Sequence, residues 1–150
     1  MSGSSDGETF KGKVEHLQEV LSTKERYELP AALIEASPDA MIVVNEDGLI
    51  VLANFQAELM FGYHRSELMG KQIEVLLPER VHAAHLKHRT GYMNTPRIRQ
   101  MGQDISLAGR RKNGAEISVE IMLSPVVTTG GMFVIAVIRR KLVRTGPPSV

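Results

Sequence analysis

The chain has 150 residues, a net charge of +1 and no cysteine. Its length suffices for one domain with a substantial core, and its near-neutral charge gives no general attraction to nucleic acid or to membranes. The lack of cysteine excludes disulfides, thiolate zinc sites and a cysteinyl–flavin adduct. No apolar run approaches the roughly 20 residues of a membrane span and no secretory signal opens the chain, so we expect no membrane insertion and a cytoplasmic location.

The N-terminal part is predicted to form a leader followed by a flanking helix. Residues 1–10 are mostly small and polar, which is typical of a disordered leader. Within residues 11–32, an amphipathic helix is predicted over Lys13–Tyr27 and is expected to break at Leu29-Pro30. Its apolar residues recur at spacings of three and four: Val14, Leu17 and Leu21. The short stripe favours a dimerisation or signal-coupling helix, and a helix packed on its own domain is the alternative.

A β-hairpin is predicted next. Two apolar runs, Ala40–Val44 and Leu49–Ala53, flank Asp47-Gly48, where glycine supplies the positive φ that a tight turn requires. Asn54 follows the second run, and its side chain can cap a helix there by accepting a backbone N–H. The hairpin is therefore expected to lead directly into a helix.

Three helices are predicted between this hairpin and the last strands. They are Phe55–Phe61, Glu67–Met69 with Ser66 as N-cap, and Glu79–Tyr92. The last of them carries three histidines at a spacing of three: His82, His85 and His88. This spacing places the histidines on one broad face of the helix.

The remaining residues are predicted to form three strands, Ile98–Ala108, Ala115–Leu123 and Met132–Ile138. Asn113-Gly114 is a strong hairpin signal between the first two. Alternation along the second strand places Ile121 and Leu123 on one face, which we expect to be largely buried against the helices. Residues 141–150 are predicted to be a flexible tail.

Several of these motifs together resemble a PAS domain over residues 33–140. They are the hairpin ending in Asn54, the helix ending in Phe61-Gly62-Tyr63, the turn Glu67-Leu68-Met69-Gly70-Lys71, and the late hairpin around Gly109–Gly114. The resemblance implies an α+β fold, a five-stranded antiparallel sheet with helices packed on one face, plus the N-terminal flanking helix. It also implies an apolar pocket between the sheet and the long helix.

The resemblance extends to the haem-binding oxygen-sensor PAS domains. These place their axial histidine seven residues after the proline of an "LxP" entry, which Leu77-Pro78 matches, and the corresponding residue is His85. The resemblance therefore implies that His85 is the iron ligand. It implies that Ile98, Ile121 and Leu123 form the apolar distal wall, with Met101 near the position of a distal methionine. Half-buried histidines on an amphipathic helix are the alternative.

Other classes of function have less support. Flavin is a second possible cofactor, but the chain has no tryptophan and few aromatic residues to stack on its ring. No nucleophile elbow, P-loop or HExxH motif occurs, so we expect no catalysis. The basic residues of 97–111 and 139–144 lack interleaved aromatics, which indicates the solvent face of a sheet and no nucleic-acid partner.

The sequence therefore predicts a sensory, regulatory domain of a signal-transduction protein, as in two-component systems. It would detect a small ligand or a redox or gas cue in an apolar pocket. It would transmit this through homodimer contacts, made by the N-terminal helix, to an output kinase, phosphatase or cyclase domain of the parent protein. A ligand-free PAS module for protein interaction and dimerisation is the alternative.

Overall fold

The computed structural model describes residues 21–102 and 107–142. Within this part, six strands form one sheet: β1 (Ala40–Val44), β2 (Ile50–Ala53), β3 (Arg99–Met101), β4 (Leu107–Arg110), β5 (Glu116–Thr128) and β6 (Gly131–Arg140). Four α-helices accompany them: α1 (Thr23–Ala36), α2 (Phe55–Phe61), α3 (Arg65–Leu68) and α4 (His82–Asn94). Two 3₁₀ turns, Ile73–Leu76 and Glu79–Val81, lie between α3 and α4.

All strand pairs are antiparallel, in the order β2-β1-β6-β5-β3, with β4 also paired to β5. The predicted α+β class and antiparallel sheet are confirmed. The predicted strand Ile98–Ala108 differs, because β3 and β4 pair with successive stretches of β5. Gly102 ends β3 at φ +91°, and a Cβ there would lie 2.7 Å from the Val119 carbonyl oxygen. Only glycine fits at this position, and its positive φ departs from the extended conformation, so β3 ends at Met101 and the described residues form six strands where five were predicted.

The core lies on the inner face of the sheet, the face that also contacts α2 and α3. Alternate residues of the central strands are buried there, as the pleat of a strand requires: Ala40, Ile42 and Val44 of β1 and Val134, Ala136 and Ile138 of β6. Phe61 of α2 and Leu68 of α3 are also buried. Ile121 and Leu123 lie opposite Ile138 and Ala136 in the β5–β6 register, share the inner face and pack against this core, but both are only partly buried.

Asn54 joins the first hairpin to α2. It is fully buried, and its Oδ1 accepts the backbone N–H of Ala57 at 3.0 Å and of Met41 at 2.9 Å. Its Nδ2 donates to the Asp39 carbonyl oxygen at 3.0 Å. The predicted helix cap is confirmed, and the same side chain also fixes the start of β1. Both predicted turn glycines, Gly48 and Gly114, have positive φ.

The two later helices begin at residues other than those predicted. His64, and not Ser66, is the N-cap of α3: its Nδ1 accepts the Ser66 N–H, while the Glu67 carboxylate accepts the His64 N–H. This reciprocal arrangement satisfies two free backbone donors at once. The helix predicted from Glu79 begins at His82, after a 3₁₀ turn.

The flanking helix was predicted wrongly at its C-terminal end. α1 runs through Pro30, which lacks an N–H but has a φ compatible with a helix. Its start is fixed by Ser22 and Glu25, each of whose side chains accepts the backbone N–H of the other. Val14 and Leu17 of the predicted stripe lie outside the described residues. By contact density the chain divides after Ala36.

Candidate functional site

The three histidines of α4 have different surroundings. His82 lies at the start of the helix, and its Nε2 donates to the Leu77 carbonyl oxygen at 2.8 Å. His88 is exposed. His85 is partly buried, with 33% of its side chain exposed, and faces Glu74. His85, which the resemblance implied as the iron ligand, therefore differs from the two flanking histidines because it faces a buried carboxylate.

Glu74 and Arg89 form an ion pair beneath α4. The Arg89 Nη2 lies 2.8 Å and its Nε 3.1 Å from the Glu74 Oε1. Only 5% of the Glu74 side chain and 14% of the Arg89 side chain are exposed. Arg89 also covers Gly48, where any Cβ would overlap its guanidinium. The pair thus connects α4 to the 3₁₀ turn that carries Glu74 and to the β1–β2 hairpin.

The second oxygen of Glu74 faces His85. Glu74 Oε2 and His85 Nδ1 are 3.8 Å apart, and both atoms are buried without a hydrogen-bond partner among the described residues. Burial lowers the pKa of His85, the charges of Arg89 and His88 lower it further, and Glu74 opposes the shift. A lowered pKa favours the uncharged imidazole, which is the form that binds metals. A carboxylate beside one ring nitrogen also orients the ring of a ligating histidine.

Sequence reasoning missed both Glu74 and Arg89. Glu74 precedes the apolar run Val75–Leu77, and a lone acid there reads as a solvated residue. Arg89 follows His85 by four residues, which places the two on the same side of α4. This spacing was the available signal, but it does not show that the arginine turns inward. Only the fold brings Arg89 to an acid fifteen residues earlier.

Three of the four apolar site residues predicted from the sequence lie together. Met101 pairs with Ile121 in the β3–β5 register, so Met101, Ile121 and Leu123 share the inner face. All three are partly buried. Ile98 does not join them: it lies just before β3 and is 70% exposed. The structure therefore does not bring it to the other three.

The helix that carries His85, α4, has few contacts with the core. None of the thirteen residues of α4 is buried, and Tyr92 and Met93 are its only members that pack against the core cluster. Its described anchors are polar: the Glu74–Arg89 ion pair and the hydrogen bonds of His82 to Leu77 and of Tyr92 to Arg97. The helix is thus held mainly by polar contacts, with Tyr92 and Met93 as its apolar contacts to the core.

His85 does not belong to a cluster of described side chains that could hold a bare metal ion. Among residues 21–102 and 107–142, no three histidine, aspartate or glutamate side chains are grouped so that they could hold a metal ion. The donor set fits a metal that brings further ligands of its own, as haem iron does. In the same described ranges, no helix is both long and apolar enough to cross a membrane.

Comparison with known proteins identifies similar chains. A family model described as "PAS fold" matches residues 28–140. The sensor protein FixL of Bradyrhizobium diazoefficiens is 26% identical over 99 residues, which cover 66% of this chain and 20% of FixL. The oxygen sensor protein DosP of Escherichia coli is 26% identical over 106 residues, which cover 71% of this chain and 13% of DosP. The chain thus matches a fifth or less of each of these relatives.

A solved structure shows the same fold. The PAS domain of an HTR-like protein from Haloarcula marismortui superposes with a TM-score of 0.63 at 22% identity. The superposition covers 79% of this chain and 99% of that domain. The similarity therefore extends over a whole domain of that structure.

Proposed function

The chain belongs to the PAS fold family, and from that premise we propose that it is a sensory domain that holds a small ligand on the inner face of its sheet, beneath α4. One observation carries the proposal. Met101, Ile121 and Leu123 form an apolar surface that is only partly covered, and the helix that carries His85 has no buried residue. Apolar ligand sites in proteins are concave regions of this composition.

Haem is the ligand that we propose for this site, with His85 as the residue that holds the iron. Its support is the lowered pKa of the imidazole, the Glu74 carboxylate 3.8 Å from Nδ1 and the apolar surface. Similarity to a protein named an oxygen sensor adds to this support. When bound, haem iron supplies a coordination position for a diatomic gas. The role of the protein is to orient His85 and to exclude water with its apolar residues.

The absorption spectrum of the purified protein tests the ligand. We expect a Soret band after expression in cells supplied with iron and a haem precursor. Absorption typical of oxidised flavin would instead identify flavin as the ligand. A colourless protein that also fails to bind added hemin would contradict a haem site.

Transmission of the signal is part of the same proposal. The chain matches only 20% of FixL and 13% of DosP, so we propose that the domain acts on an output domain of a longer parent protein, a kinase, phosphatase or cyclase. Homodimer contacts made by the N-terminal helix would carry the change. The domain itself would perform no catalysis.

A second candidate function is a ligand-free interaction module, and the outer face of the sheet favours it. The outward-facing residues of the central strands are apolar: Met41, Val43, Met122, Ile135 and Val137. Met122 is 40% exposed and lines a depression of about 230 Å³ on this face. Sedimentation of the intact chain and of a chain lacking residues 1–27 would measure whether it dimerises. Dimerisation without any bound ligand would favour this candidate.

A further inference from the structure

A second groove lies apart from His85, where the chain enters β1 and leaves β6. It has a volume of about 420 Å³. Its polar lining comes from Asp39 before β1, Gln56 of α2, Arg111 after β4, and Arg139 and Arg140 at the end of β6. Met60 and Ile117 contribute part of its apolar wall. Three guanidinium groups and one carboxylate therefore line one cavity.

The charges in the groove do not balance. Arg139 is paired with Asp39, at 3.1 Å from both Nε and Nη2 to the Asp39 Oδ2. The Arg111 Nε is buried and has no hydrogen-bond partner within the described part of the chain. The Arg140 side chain has no ion-pair partner among the described residues, and it is exposed. Two of the three arginines are thus left with an uncompensated positive charge.

Arg111 also has a structural neighbour. Its Nη2 lies 3.6 Å from the position that a Cβ would take on Gly62, the C-cap of α2. A cation there is favourable beside the carbonyl groups that end a helix. This neighbour leaves the buried Nε–H without an acceptor among the described residues. A buried donor without a partner is unfavourable, so a ligand oxygen that accepts from it would complete the site.

We propose that this groove binds a small anion carrying two or more carboxylate or phosphate groups. Guanidinium groups recognise such oxygens through paired, charge-assisted hydrogen bonds. Arg111 and Arg140 would supply the positive charge, and the Gln56 amide is a neutral donor in the same lining. The site is separate from the ligand site beneath α4. The groove lies against the residues that lead into β1 and the last residues of β6, so an anion bound there would contact both segments.

Calorimetric titration of the full chain with citrate and with inorganic phosphate, at constant ionic strength in chloride, tests the proposal. We expect saturable binding of at least one of them. Arg111→Gln and Arg140→Gln should each weaken it by about tenfold or more, the loss expected for a charge-assisted hydrogen bond. Arg97→Gln is the matched control, because it removes one exposed positive charge outside the groove.

Arg140→Gln is the decisive variant, since an exposed side chain can change without affecting folding. The two titrants distinguish carboxylate from phosphate chemistry. The absence of saturable binding to both anions would overturn the proposal. Equal weakening by Arg97→Gln and Arg140→Gln would also overturn it, because the binding would then reflect general charge and not this groove.

Discussion

Replacing Glu74 with alanine is expected to lower the free energy of unfolding by about 3–5 kcal/mol. The variant leaves the Arg89 guanidinium, only 14% exposed, without the carboxylate that it contacts at 2.8 Å. An unpaired charge in such surroundings is costly because it loses both water and its partner. The substitution also removes the main polar contact that holds α4, so the helix should become more mobile. Urea denaturation followed by circular dichroism measures the change.

Glu67→Ala is the matched control for this prediction. Glu67 also pairs with a cation, Lys112, but the two side chains are 41% and 55% exposed, and such surface pairs contribute about 0–1 kcal/mol. Removing both partners in Glu74→Ala/Arg89→Met should cost less than the sum of the two single changes, because no buried charge then remains unpaired. If Glu74→Ala cost no more than Glu67→Ala, the pair would not be the anchor that we describe.

Replacing Ile121 with aspartate is expected to cost on the order of 3 kcal/mol or more. Its side chain faces inward beside the buried Ile138 and packs against the core, where a carboxylate would lose its contact with water. Leu123→Asp should behave in the same way. Chemical denaturation of each variant measures the loss.

Met122→Asp is the control, because Met122 lies between these two residues on the outer face and is 40% exposed. Its cost should be about 1 kcal/mol or less, since surface substitutions have small effects. Unfolding curves for Ile121→Asp and Leu123→Asp that overlay the wild-type curve would contradict the placement of both residues on the inner face.

Local chemistry explains the features that could be predicted from the sequence. Gly48 and Gly114 could be assigned to turns because a tight turn requires a positive φ, which glycine adopts readily. Asn54 could be assigned as a cap because it follows an apolar run and precedes a helical pattern. The alternation along β5 placed Ile121 and Leu123 on one face. Each of these inferences depends on residues within a few positions of one another.

The features that were missed depend on distant contacts or on competing local signals. The Glu74–Arg89 pair joins residues fifteen positions apart, and nothing in the pattern shows that both are buried. Gly102 ends β3 with a positive φ and lies close to the Val119 carbonyl oxygen. No turn motif in the sequence indicates this position. In α1, the apolar spacing favoured a helix running across Ser22, where the structure has a cap formed with Glu25, and Pro30 favoured a break where the helix continues.

The central claim is that a ligand site lies beneath α4 with His85 as its metal donor, and hemin titration of single histidine variants tests it most directly. The Soret band and the affinity for hemin would be compared in wild type, His82→Ala, His85→Ala and His88→Ala. His82 bonds to the Leu77 carbonyl oxygen and His88 is exposed, so their variants should bind hemin with the wild-type spectrum. His85→Ala should shift the Soret band and weaken binding. Identical spectra and affinities for all four proteins would contradict the claim.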